Sequence, residues 1–300
     1  MSTTYRLIPL ALLTGLLAAC AGNALVTRGP VPVELKFAAQ INGQPFECGK
    51  SYSGVGTTRS TITPSDYRFF VSEVHLVDRK GQLVPVQLTQ DGVWQFQNVT
   101  LLDFENGAGP CRNGTSGLNA AVRGTVPAGD YQGVQFTVGV PFALNHADPT
   151  VAPAPLNNTA MFWNWQGGYK FIKFDTASSG QTRATQGAGE AHGAAAASGF
   201  SVHLGSTVCA AASRTQAPSA CQNANRLVVR LDRFDVARGT VVADMGAVLS
   251  AANVDVNAAG TSPGCMSFPR DGDCPPVMGA LGLAYDGIAA PGPQRFLTAR

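Results

Sequence analysis

A cysteine at position 20, directly after a short apolar leader, constrains this chain more than any other feature of its sequence. Arg6 gives the leader a positive start, and Leu7 to Leu17 follow as an apolar run broken only by Pro9, Thr14 and Gly15. That run is too short for a permanent membrane span. It ends in Leu17-Ala18-Ala19-Cys20, which reads as a lipobox: residues 1–19 are then a signal peptide and Cys20 is the lipid-bearing residue. The blander alternative is an ordinary cleaved leader with a stray cysteine. Acylation of both the thiol and the new amine gives more than one chain. At about 0.8 kcal/mol per buried methylene, that makes a stable anchor. Ala21, where an aspartate would be the alternative, is compatible with sorting to the outer membrane of a Gram-negative cell. The expected location is the periplasm or cell surface, with residues 20–31 as a lipidated tether and residues 32–300 as a single domain.

An exported chain folds in an oxidising compartment, and the cysteine count agrees. Seven cysteines less Cys20 leave Cys48, Cys111, Cys209, Cys221, Cys265 and Cys274, an even number suited to three disulfides. Six cysteines allow about fifteen pairings, among which sequence alone does not choose. Loop closure favours Cys209 with Cys221 and Cys265 with Cys274, leaving Cys48 with Cys111. No CxxC pair with zinc-site spacing occurs, which argues against a structural zinc.

Charged residues make up only 13% of the chain and the formal net charge is +2, so no basic stripe points to nucleic acid. Gly at 34 and Pro at 19 favour turns and strands. Val31 to Gln40 alternates apolar and polar positions as a half-buried strand does. Asp66 to Val77 and Leu83 to Leu88 flank a turn at Arg79 to Gly81 and read as a hairpin. Gly129 to Val140, Phe200 to Leu204 and Leu227 to Val236 continue the strand pattern, and Asp244 to Ala252 is either a short helix or extended. The fold class is therefore all-β, a β-sandwich or flattened barrel with long loops and disulfides. Ser178 to Gly199, rich in Gly, Ala and Ser, reads as a loop, and its His192 as solvated.

Chemistry concentrates between residues 141 and 210. Met161 to Asp175 reads as a hairpin turning at Gly167-Gly168, since paired glycines accept the positive φ of a tight turn. Strand alternation then puts Met161, Trp163 and Trp165 on one face. Core filling is the ordinary role of such a face. Two of only four histidines flank it, however: His146 in Asn145-His146-Ala147-Asp148 and His203 in Val202-His203-Leu204. Imidazole with thioether suits copper, Cu(I) in particular, better than the carboxylate cages of Ca²⁺ or Mg²⁺. His75 and Met266 are outside candidates, the latter only if its loop folds back towards the hairpin. Trp94 has no such neighbours.

These segments together resemble the MbnP-like copper-binding family, the four-cysteine member of a "metallo-mystery pair" encoded beside a dihaem, MauG-like cytochrome c peroxidase relative. The resemblance runs through Val33-Glu34-Leu35-Lys36-Phe37, Phe46-Glu47-Cys48 and Tyr67-Arg68-Phe69-Phe70-Val71-Ser72. It continues in Asn145-His146-Ala147-Asp148, Met161-Phe162-Trp163-Asn164-Trp165, Gly168-Tyr169-Lys170-Phe171 and His203-Leu204-Gly205-Ser206-Thr207. Cys48, Cys111, Cys209 and Cys221 look like the family's four cysteines, with Cys265 and Cys274 an added bridge. The resemblance implies copper, as Cu(I) or Cu(II), held by His146 and His203 with Met161 as a third donor. It further implies that the dihaem partner oxidises a tryptophan, Trp163 or Trp165, to kynurenine, which helps to bind copper in related proteins. The role implied is copper acquisition or handling.

Enzyme readings find little support. The chain has no Gly-x-Ser-x-Gly elbow, no His-Glu-x-x-His, no P-loop and no CxxCH haem-attachment motif. Asp175, Asp232 and Asp235 read as partners of nearby cations such as Arg230 and Arg233. The chain is expected to be an enzyme's substrate and not itself an enzyme. The rival class is a structural or small-molecule-binding β-sandwich surface lipoprotein without metal, its tryptophans serving as core or as a stacking platform.

Overall fold

The computed structural model describes Met1, Thr3 and residues 29–164, 166–181, 199–213 and 216–300. Cys20 with most of the leader and tether, Trp165 and His192 lie outside the described residues. No described helix is long and apolar enough to cross a membrane.

Two sheets make the body. The smaller is ordered Leu297–Ala299, Thr240–Asp244, Val31–Ile41, Ala121–Val126 and Gln87–Leu88, with Gln44–Pro45 also on Val31–Ile41. The larger is ordered Leu227–Leu231, Tyr131–Val138, Ser60–Asp78, Ile172–Ser178, Phe200–Leu204 and Gly264–Cys265. Its backbone is Ser60–Asp78, a 19-residue strand on which Tyr52–Val55, Leu83–Pro85 and Val99–Asp103 also pair. Both sheets end in open edges, so the architecture is a sandwich and not a closed barrel. The expected hairpin after Arg79 divides in two: Leu83–Pro85 stays with the long strand, and Gln87–Leu88 crosses to pair with Ala121–Val126 in the other sheet. Pro85 cannot donate to a ladder and marks the corner.

Alternation explains the core. Leu35 and Phe37 of the small sheet turn inward, and the Phe37 ring meets Phe136 at 5.6 Å and Phe69 at 6.3 Å across the sandwich. Tyr67 reaches across as well, donating its hydroxyl to the Ala243 carbonyl at 2.8 Å. Alternation fails in the middle of the long strand, where Tyr67 to Ser72 are all buried, because loops cover its second face. Arg68, 0% exposed, lies on that face. A buried guanidinium is tolerable only when paired. Arg68 Nε donates to Asp66 Oδ1 at 2.9 Å, Nη2 reaches Asp66 Oδ2, and Nη1 lies 3.5 Å from Glu105 Oε1.

Asp244 ends one strand and caps the short helix Met245–Leu249, accepting from Gly246 N at 2.8 Å. The stretch from Asp244 is thus helical. Three disulfides staple the loops: Cys48–Cys111, Cys209–Cys221 and Cys265–Cys274, the pairing that loop closure favours.

Candidate metal centre

Phe200–Leu204 sends Phe200, Val202 and Leu204 into the core, so Ser201 and His203 emerge on the opposite face. The neighbouring strand pairs Lys173 with His203 and Asp175 with Ser201. His203 Nε2 lies 2.8 Å from Asp175 Oδ1, which also accepts from Ser201 Oγ at 2.6 Å. Lys173 Nζ lies 2.9 Å from Asp175 Oδ2 and contacts Asp66, joining the histidine to the buried Arg68 pair. Burial pushes the His203 pKa down, with Asp175 opposing, so the ring is biased to its neutral form. Burial alone would raise Asp175; the adjacent His203, Lys173 and Ser201 hydroxyl outweigh it and hold the carboxyl well below its ordinary range. A neutral ring that donates Nε2–H to a carboxylate keeps its lone pair on Nδ1, which bonds to no other described residue.

The expected hairpin is present: Phe162–Asn164 pairs with Gly168–Tyr169, Phe162 opposite Tyr169. Asn164 Oδ1 accepts from Gln166 N at 2.9 Å and Gly167 N at 2.8 Å, which tightens the turn. Two glycines make room for the Trp163 indole. A Cβ at Gly205 would stand 2.5 Å from Cζ3 of that ring, and one at Gly167 would stand 3.1 Å from its Cε3. The indole centroid lies 6.5 Å from the His203 ring and 5.5 Å from Phe268. Met161 departs from the expected common face. It closes a 3-10 turn, Thr159–Met161, ahead of the strand, and its side chain is 0% exposed within the hydrophobic core.

His146 follows the one-turn helix Phe142–Asn145 and is 5% exposed. Its ring packs on Phe142 at 5.0 Å and contacts Asn145, whose Oδ1 accepts from Tyr169 N at 2.9 Å. That fixes the amide, so Nδ2 faces Ser206 Oγ at 3.4 Å and His146 Nε2 at 3.1 Å. An amide nitrogen only donates, so His146 Nε2 carries its lone pair there, an assignment made from the bonding pattern. Cys221 Sγ lies 3.6 Å from the same nitrogen. His146, Cys209 and Cys221 form the one described group of three His, Cys or carboxylate donors within 4.8 Å of one another. The two sulfurs are bonded to each other, so they are not thiolates.

The sequence candidates thus fall into three places. His203 and Trp163 meet beside the hairpin; His146 reaches the same hairpin through Asn145, next to the Cys209–Cys221 bridge; Met161 lies in the core. The Met266 loop does fold back: Cys265 pairs with Val202, Ser267 Oγ donates to the His203 carbonyl at 2.9 Å, and Phe268 packs on Trp163. His75 is elsewhere, its Nδ1 2.7 Å from the Glu73 carbonyl, and Trp94 packs near Gly117. Asp175 was legible only as a generic ion-pair carboxylate. Its bond to His203 follows from the strand register, which places residues summing to 376 opposite one another.

The chain is, in class, a disulfide-stapled β-sandwich with His203 beside Trp163 and His146 beside the Cys209–Cys221 bridge. Residues 30–267 match the MbnP family, and the chain belongs to it. Its fold is similar to that of MbnP from Methylosinus trichosporium, with 30% sequence identity, a TM-score of 0.76, and coverage of 91% of this chain and 99% of the other. No curated protein matches the chain.

Proposed function

We propose that this chain is an exported, lipid-anchored copper-binding protein, held to the outer membrane through Cys20, in which His146 and His203 supply the imidazole donors. It acts in copper acquisition or handling, as a binding protein and as a substrate of a partner, not as an enzyme. A dihaem MauG-like peroxidase relative oxidises Trp163 or Trp165 to kynurenine.

The observation that carries this reading is His203. Its ring is biased to the neutral form and oriented by Asp175 through Nε2, with Nδ1 left for a ligand bond. Carboxylate–histidine pairs of this kind set the tautomer and raise the donor strength of metal-binding imidazoles. The donor set fits the group: two imidazoles suit copper, whereas Asp175, a carboxylate bonded to His203, is taken up by His203, Lys173 and Ser201. When bound, copper supplies a one-electron couple and an ion that can be handed on. His203 would hold the ion, Asp175 orients His203, and Asn145, fixed by Tyr169 N, leaves His146 Nε2 unprotonated. Trp163 is half-buried, so its ring lies close enough to the surface to pass an electron to a docked haem protein.

Intact and peptide mass spectrometry of the purified protein, with copper quantified on the same sample, tests the reading. The expected result is copper that disappears in His146→Ala and His203→Ala. After partner treatment, an oxidised Trp163 or Trp165 is also expected, and its mass gain vanishes when both are replaced by Phe. Metal-free protein under copper-replete conditions, with both tryptophans unmodified after partner treatment, would return the chain to the metal-free sandwich class.

A further inference from the structure

We propose that the Cys209–Cys221 disulfide is a redox gate, and that its reduction creates a second, sulfur-rich site for a soft monovalent cation from Cys209, Cys221 and His146. The proposal goes beyond the imidazole site: it shares His146 with that site but does not require His203.

Three observations carry it. The first is geometric. A cation held in a plane by one imidazole at about 2.0 Å and two thiolates at about 2.3 Å would set nitrogen and sulfur about 3.7 Å apart and the sulfurs about 4.0 Å apart. His146 Nε2 already lies 3.6 Å from Cys221 Sγ, and all three donor atoms fall within 4.8 Å. Only the sulfurs must separate. The second is the tautomer: Asn145, fixed by Tyr169 N, leaves His146 Nε2 unprotonated as a metal ligand must be, and Cys221 Sγ lies 3.6 Å from that nitrogen, so a cation there would take the lone pair that now accepts from Asn145. The third is access. Both Cys209 and Cys221 are partly exposed, whereas the other two bridges each contain a fully buried cysteine: Cys111 is 0% exposed, and Cys265 and Cys274 are 1% and 0% exposed. Thiol exchange needs an approach to a sulfur atom, and of the three bridges this is the one whose two cysteines are both partly exposed.

The reaction balances with that donor. A donor thiolate attacks one of the two sulfurs, the Cys209–Cys221 bond breaks, and the other cysteine leaves as a thiolate. The donor's second thiolate then displaces the first cysteine and closes the donor's own disulfide. Two electrons pass to the protein, and the two cysteine thiolates take up either two protons or the cation. The donor pair stays in register after the bond opens, because Thr207–Ala210 and Ala220–Asn223 pair as a ribbon with Cys209 opposite Cys221. Asn223 Nδ2 also donates to Thr207 Oγ1 at 3.2 Å. Thiolate with imidazole selects Cu(I) over the hard cations.

The test treats the purified full chain with dithiothreitol under native conditions, adds one equivalent of cuprous ion, and reads alkylation by peptide mass spectrometry and copper X-ray absorption. The expected result is opening of Cys209–Cys221 alone, at least tenfold slower alkylation of both cysteines once copper is added, and two sulfur neighbours seen only in the reduced chain. Replacing Cys209 and Cys221 together with Ser removes the sulfur signal. His146→Gln, which keeps the bridge and both thiols, weakens protection at least tenfold. A bridge that resists the reductant until the chain unfolds would overturn the proposal, as would alkylation unaffected by copper or the same sulfur count before and after reduction. Nitrogen-only copper on the oxidised chain that is lost in His203→Ala reports on the imidazole site, whereas sulfur coordination in the reduced chain that survives His203→Ala reports on this one, so the two fail distinguishably.

Discussion

Asp175→Asn should separate the orientation of His203 from its mere presence. The substitution keeps the shape of the side chain, and Asn Oδ1 can still accept from His203 Nε2–H and from Ser201, which now stand 2.8 and 2.6 Å from the carboxylate. What leaves is the negative charge. Carboxylate partners of metal-bound histidines typically contribute about 10- to 100-fold in affinity, or about 1.4–2.7 kcal/mol. The expected copper affinity therefore falls by roughly tenfold or somewhat more, far less than the loss on His203→Ala. Stability falls as well. Lys173 loses its 2.9 Å contact with Asp175 but keeps Asp66, so the cost is about 1–3 kcal/mol, below that of orphaning a buried charge. Competition with a chromophoric Cu(I) chelator gives the affinity, and urea unfolding on the same samples confirms that the variant is folded. An Asn variant that binds copper within twofold of the parent, while His203→Ala loses it, would show that Asp175 does not tune the ligand.

Burial, opposed by Arg68 and helped by Glu105, lifts the Asp103 carboxyl from 3.8 to about 7. A carboxyl raised on folding stabilises below its unfolded pKa and loses that contribution as pH rises through the folded one. Asp103→Asn should thus flatten up to about 4 kcal/mol of the stability change between pH of about 4 and 7, read from urea midpoints at each end. Gly114→Ala places a methyl carbon 1.7–1.8 Å from the Glu105 carboxylate, which is fixed by Thr115 N at 2.6 Å and Gly107 N at 2.9 Å. It should lower stability by about 1–3 kcal/mol, visible as a reduced Tm. Met161→Ala should cost about 2–5 kcal/mol as a core truncation while copper stoichiometry stays unaltered. A folded variant that has lost copper would instead make the thioether a donor.

Most of the sandwich was legible because its strands alternate: Val33, Leu35 and Phe37 face one way, and so do Phe200, Val202 and Leu204. The disulfides followed because two pairs are separated by only 12 and 9 residues. The middle of Ser60–Asp78 was not legible in the same way. Alternation reports one buried face, and here the second face is covered by loops, so Arg68 reads as solvated until Asp66 and Glu105 are seen around it. The histidines were found by scarcity, but their neighbours were not. His146 meets Cys221 across 75 residues and Asp175 meets His203 across 28, and such pairings depend on register that no local pattern encodes. Met161 misled for a related reason: period-two counting assumed a strand one residue before it begins, at Phe162.

On its outer side, the strand that carries His203 is bordered by a cover only two residues long, Gly264–Cys265, running parallel to it. Without that cover the His203 strand would be a bare sheet edge, open to pairing with another chain. The cover is clamped by the Cys265–Cys274 bridge to the helix Cys274–Ala280, and its next residues supply the Ser267 contact to His203 and the Phe268 ring on Trp163. One short splint therefore guards against two failures at once. Loosening it would release His203 and Trp163 from their settings and expose an adhesive edge at the same place, so loss of the proposed metal site and self-association should appear together.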